Sequence, residues 1–145
     1  AVETDGRLWG GALHNVGTVT GTTKQYIASG TYTPTLTGVS NITGSAAYAS
    51  QWTRVGNVVT VSGKVAIDPT NTASQTTLGI SLPIASAFTL SEQCAGTAAT
   101  GVGAGLPRCA QVNADTTNDR AEINFQTDTD TNNNTWYYSY AYVIV

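Results

Sequence analysis

The stretch Ala47–Ile67 reads AYASQWTRVGNVVTVSGKVAI. Gly56 and Asn57 stand between two runs rich in β-branched and aromatic residues, which is the chemistry of a two-residue hairpin turn. Closing the turn with Val55 opposite Val58 sets the register. Trp52 then falls opposite Val61, Ser50 opposite Gly63, and Tyr48 opposite Val65. One face carries Tyr48, Trp52, Val59, Val61, Val65 and Ile67; the other carries Ala49, Gln51, Thr53, Thr60, Ser62 and Lys64. That is a sheet with one buried and one wet face. Gly63, across from the small Ser50, leaves room for the ring of Trp52 or Tyr48 to settle over the backbone.

The pattern extends in both directions. Upstream, GTYTPTLTGV alternates Tyr32, Pro34 and Leu36 with Thr33, Thr35 and Thr37. Pro34 cannot donate to a ladder, so this run is an edge strand or ends in a bulge. Downstream, DPTNTASQ (Asp68–Gln75) is a turn-rich loop, and LGISLPIAS is a short strand stopped by Pro83. CAGTAATGV is a small-residue strand, GAGLP a turn, and RCAQVNA another strand. After the DTTND loop, RAEINFQTD places Ala121, Ile123 and Phe125 inward and Glu122, Asn124 and Gln126 outward. DTDTNNN (Asp128–Asn134) is a polar turn before the terminal strand. About eight strands at short spacing, with no amphipathic helix, predict an all-β, jelly-roll-like antiparallel β-sandwich over residues 30–145. Residues 1–29 are Gly- and Thr-rich with scattered apolar positions (Leu8, Trp9, Leu13, Val16, Val19) and are expected to form an extended N-terminal arm.

Composition bounds the function. The chain has 145 residues, which fits one domain. Six Lys and Arg stand against nine Asp and Glu, and only 10% of residues are charged, against about 25% in an ordinary domain. No basic footprint for nucleic acid or an anionic membrane is present, and no apolar run reaches the length of a membrane span. The two cysteines, Cys94 and Cys109, come with no CxxC pattern and no Cys/His cluster, which excludes a zinc site; both are expected to be reduced, small core residues.

The last eleven residues, TWYYSYAYVIV, form a strand with an unusual pair of faces. Trp136, Tyr138, Tyr140, Tyr142 and Ile144 alternate with Thr135, Tyr137, Ser139, Ala141, Val143 and Val145. The first set is an aromatic ladder. The second is small and mostly apolar. Neither is a solvated face, yet a single sandwich buries only one of them. The second face therefore calls for a cover: residues 1–29, another subunit, or a ligand. The subunit reading places Tyr137, Ala141, Val143 and Val145 in an interface.

Catalytic chemistry has little to build on. The lone His14 lies in the expected arm, far from any paired nucleophile in sequence. Asp115, Asp119 and Glu122 are close enough in sequence to suggest a carboxylate pair, but loop carboxylates are ordinarily turn formers. Asp128, Asp130, Asn132 and Asn134 resemble the first half of a calcium loop, although Asn133 and Ser139 occupy the places of its glycine and bidentate glutamate. The expectation is a non-enzymatic protein with no metal and no cofactor. Recognition, if present, falls to loop tips on a rigid scaffold. The candidate receptor or glycan contacts are Asn71, Thr72, Asn118, Asn132, Asn133 and Asn134, whose amides and hydroxyls suit sugar hydroxyls.

The order LHNVGTVTGTTKQYIASGTYTPTLT, AYASQWTRVGNVVTVSGKVAIDPT, LGISLPIAS, CAGTAAT and NDRAEINF, followed by the aromatic strand, resembles a family of tailed-bacteriophage virion proteins labelled tail fibre or tail-associated protein. The resemblance spans about Leu13 to Val145. It implies a β-rich head module of a fibre, a homotrimer, in a virion assembled in the host cytoplasm. Attachment to a host cell-surface glycan would be its function, with residues 1–29 contacting other virion proteins. A capsid decoration or head-fibre protein anchored by its N-terminal arm is the alternative within the same particle. A carbohydrate-binding module is the alternative outside it.

Overall fold

The structure is a computed structural model and describes residues 27–101, 108–129 and 131–145. Ten strands follow in chain order: β1 (Ile27–Tyr32), β2 (Leu36–Ser40), β3 (Ile42–Ala47), β4 (Ser50–Val55), β5 (Val58–Pro69), β6 (Gln75–Ile80), β7 (Cys94–Thr100), β8 (Cys109–Asp115), β9 (Arg120–Gln126) and β10 (Asn134–Val143). A short 3-10 turn, Ser91–Gln93, precedes β7. The chain is all-β and its strand pairs are antiparallel. The order across the sheet is β1-β4-β5-β10-β7-β8-β9-β6-β2, and β3 also pairs with β5. The chain turns at Asn41, which takes a left-handed φ of 56° that Asn tolerates better than most residues. β2 before the turn pairs with β6, and β3 after it pairs with β5. The turn thus carries the chain from one end of the ladder back to its middle. The expected sandwich takes the form of one sheet curled on itself.

The hairpin register is as expected: Val55 pairs with Val58 and Trp52 with Val61. Gly56 supplies the positive φ, 61°, of the turn. Inside the curl lie Val59, Val61, Val65 and Ile67 of β5, Leu78 and Ile80 of β6, Ala121, Ile123 and Phe125 of β9, and Trp136 of β10. Ala121, Ile123 and Phe125 are buried, so the alternation read in RAEINFQTD holds, while β6 is buried at every position from Thr76 to Ile80.

Tyr48 departs from the expected pattern. Ala47, not Tyr48, pairs with Val65, while Gln51 pairs with Ser62. One extra residue is accommodated between β3 and β4, and a one-residue slip sends a side chain to the other face. Tyr48 is therefore exposed, with Lys64 Nζ 4.6 Å from its ring centroid. Cys94 is buried as expected, but Cys109 is exposed because Ala110 takes the inward position at the start of β8. The strand count rises from about eight to ten because the run GTYTPTLTGV divides around Pro34 into β1 and β2, and the run before Gly56 divides at Tyr48 and Ala49 into β3 and β4. β1 begins at Ile27, inside the stretch assigned to the arm, while residues 1–26 lie outside the described residues.

Candidate functional site

The terminal strand β10 is central, between β5 and β7. Its inner face is the aromatic column. Trp136, Tyr138, Tyr140 and Tyr142 are all buried. Trp136 lies against Phe125 with centroids 4.2 Å apart, and Tyr142 meets Phe88 edge-on at 5.9 Å. Each buried hydroxyl has a partner, as burial demands. Tyr138 OH lies 2.6 Å from Ser50 Oγ, and Tyr140 OH lies 3.1 Å from Tyr32 OH. Tyr32 OH donates to Ser81 O at 3.1 Å. Tyr142 OH donates to Ile84 O at 2.8 Å and accepts from Ile84 N–H at 3.2 Å. Burial pushes the phenols of Tyr32, Tyr138 and Tyr140 above the ordinary value and that of Tyr142 up to about 12.

The outer face of β10 lies uncovered by any described residue. Tyr137 is 56% exposed and Val145 55%. The register puts Val143 beside Val58, Val58 beside Val55, and Val55 beside Ile27. These four residues form a row across four adjacent strands and are 39–61% exposed. Between this row and the Tyr137–Lys64 pair, the outer face of β1, β4, β5, β10 and β7 carries only Ser, Thr, Ala and Gln, such as Thr53, Thr60, Ala141 and Ala95 or Gln51, Ser62, Ser139 and Thr97. Of the predicted interface residues, Tyr137, Val143 and Val145 are exposed and Ala141 is half-buried.

The predicted recognition residues divide between the two ends of the sheet. The β5–β6 and β9–β10 loops meet at one end. Ala73 N–H donates to Asp128 O at 2.9 Å, Thr127 N–H to Ser74 O at 3.0 Å, and Thr127 Oγ1 to Asn71 O at 2.8 Å. Asn41 clasps the backbone of Asn71 from below: its Oδ1 accepts Asn71 N–H at 2.8 Å and its Nδ2 donates to Asn71 O at 3.0 Å. Asn71, Thr72, Asn132 and Asn133 are exposed there. Asn134 is buried and donates to Asn132 O at 3.0 Å. Asn118 lies at the opposite end, in the turn between β8 and β9.

That opposite end holds a feature the sequence reading missed. Thr35, Thr37, Ser81, Leu82, Asn118, Asp119 and Arg120 surround a cleft of about 360 Å³. Arg120 Nε lies 2.9 Å from Asp115 Oδ2, and its Nη2 lies 3.4 Å from Glu122 Oε1. Burial pushes the Asp115 carboxyl up, but hydrogen bonds from the Asn118 amide and the backbone N–H groups of Thr117 and Asn118, together with Arg120, hold it below the usual range. Burial, then the charge of Asp115, raises Glu122. The signal in sequence was slight. Thr35, Ser81 and Asp119 are too far apart in the chain for any local pattern to join them.

Other predicted chemistry is dispersed. His14 and Asp130 lie outside the described residues. Asp128 pairs with Arg108 at 2.6 Å, and the Asn134 amide is turned inward. Among the described residues no group of three His, Cys, Asp or Glu side chains could hold a metal ion, and no helix is long and apolar enough to cross a membrane. Comparison of the chain with protein-family models, curated proteins and solved structures gave no match.

Proposed function

We propose that the chain is a non-enzymatic structural module of a tailed-bacteriophage virion, the head of a tail fibre or receptor-binding protein that assembles with copies of itself. One observation carries the reading. The row Ile27, Val55, Val58 and Val143 lies exposed at one margin of a sheet face that stays uncharged as far as the Tyr137–Lys64 pair at the other. Contiguous exposed apolar side chains with a polar surround are a mark of an interaction surface. The low charge of the face, with Lys64 at its far margin, suits contact with an identical face. Five strands over Val58–Lys64 present on the order of 600 Å² of flat area, near the lower end of a stable interface per partner. The sequence resemblance supplies the virion setting and the trimer.

A second reading, capsid decoration, is favoured by the position of Ile27. The preceding chain joins the sheet within the apolar row, so an anchoring segment would meet the particle at that end. Immunogold electron microscopy on virions encoding the chain separates the two. Label at the tail tip is expected. Label over the capsid selects the second reading, and virions without label overturn both.

A further inference from the structure

We propose that the cleft between β2, the segment after β6, and the β8–β9 turn is a binding site for a neutral saccharide. Its floor depends on Gly79. A Cβ there would lie 2.6 Å from Arg120 Nε and 2.8 Å from Cζ, so the missing side chain lets the guanidinium lie flat on the sheet. Ion pairs with Asp115 and Glu122 then hold it, and its side chain is only 15% exposed. A planar donor group held in place before a ligand arrives spares the ordering cost of binding.

Acceptors and hydroxyls complete the wall. Asp119 takes a left-handed φ of 52°, and its Oδ1 accepts Phe88 N–H at 2.8 Å. Its other carboxylate oxygen has no hydrogen-bond partner among the described residues. Thr35, just before β2, and Thr37, within it, carry side-chain hydroxyls with no partner there either; two residues of extended chain set their Cα atoms about 7 Å apart, a spacing that one pyranose ring can bridge. Leu82 supplies an apolar surface for the ring's C–H groups. A few fixed polar groups around a small apolar patch are the usual make-up of a ligand cleft. Charge narrows the class. Asp115 and Glu122 offset the one guanidinium and Asp119 adds a further carboxylate to the wall, so phosphates and acidic sugars are repelled.

The site rests on the receptor-binding reading for its use in attachment, but not for its chemistry. Saccharide binding is read on the isolated chain and attachment on the virion, so the two can fail separately. The experiment titrates the 15N-labelled full chain with methyl glycosides of glucose, galactose, mannose and N-acetylglucosamine, with glucuronate as the anionic control. At least one neutral glycoside is expected to shift the amides of Thr35, Thr37, Asn118 and Asp119 with millimolar affinity, while glucuronate does not. Thr37→Val removes a hydroxyl at constant shape, and Asp119→Asn keeps the oxygen that holds Phe88 N–H. Each variant should retain the native spectrum and bind about fivefold more weakly, the loss of one net hydrogen bond. The proposal is overturned if no glycoside moves these amides, if the shifts fall instead in residues 70–74 and 128–133, or if glucuronate binds equally well. It is likewise overturned if calcium chloride alone reproduces the shifts and the sugars do nothing.

Discussion

Tyr138 OH lies 2.6 Å from Ser50 Oγ, and the gap through which they meet is the missing side chain of Gly63. A Cβ on Gly63 would fall 2.7 Å from Ser50 Cβ and 2.8 Å from Tyr138 OH. The three residues come from β4, β5 and β10 and join the hairpin to the aromatic column. Gly63→Ala is expected to cost about 2 kcal/mol through overpacking. Ser50→Ala should cost about 1–2 kcal/mol by leaving a buried phenol without its partner. Urea unfolding gives both values. An unchanged midpoint for Gly63→Ala would mean that Ser50 and Tyr138 move apart at no cost.

The buried phenols make the fold sensitive to alkali. A phenol whose folded value lies above its unfolded value favours folding while it stays protonated. That contribution is complete below about pH 10, the unfolded value. It is lost as pH rises toward about 12, the folded value of Tyr142. Tyr32, Tyr138 and Tyr140 shift in the same direction, with burial the leading cause. Their ionisation should therefore arrive together with unfolding. The phenolate absorbance of these four residues and the near-ultraviolet circular dichroism should change together in one cooperative step. Phenolate appearing from these four residues before the dichroism collapses would contradict the packing described.

The two thiols should behave differently. Cys94 faces the core near Tyr142, and burial pushes it up to about 12. Cys109 is exposed, paired with Ala99 near the other end of β7. They point to opposite faces of the sheet and stand about 17 Å apart along the strand direction, too far to bridge. A thiol reagent such as dithionitrobenzoate is expected to modify Cys109 at once and Cys94 only after unfolding. Cys109→Ser should abolish the native reaction. Rapid modification of Cys94 in the native chain would show that the core opens near Phe88 and Tyr142.

How much was legible from sequence follows from where the information lies. The Val55–Val58 turn was readable because Gly-Asn between β-branched runs is local chemistry. The inward set Ala121, Ile123 and Phe125 was readable because a period of two survives any sheet order. Tyr48 was misplaced because the extra residue between β3 and β4 leaves no local mark; only the separate pairings of Ala47 and Gln51 reveal it. The buried face of β10 was visible in its aromatic ladder. The cleft was not, since it depends on Gly79 lying under Arg120 from a different hairpin. The six amide and hydroxyl candidates were chosen by composition, which cannot say that Asn118 lies at the opposite end from Asn71 and Asn132.

The exposed row gives the most direct test of assembly. Val58 and Val143 are neighbours on β5 and β10, with side chains on the outer face, so replacing them leaves the core intact. Val58→Asp combined with Val143→Asp would place like charges on adjacent strands at the margin of the face. If that face joins copies of the chain, the double variant should sediment as a monomer at concentrations where the unmodified chain is an oligomer. Its unfolding free energy per chain, measured on dilute monomer, should fall by about 1 kcal/mol or less, allowing for the cross-strand repulsion. Tyr137→Ser, on the far side of the uncharged floor, should weaken association as well if the whole face is covered, and leave it unchanged if only the Val58 margin is used. An unmodified chain that sediments as a stable monomer at micromolar concentration would remove the subunit reading altogether.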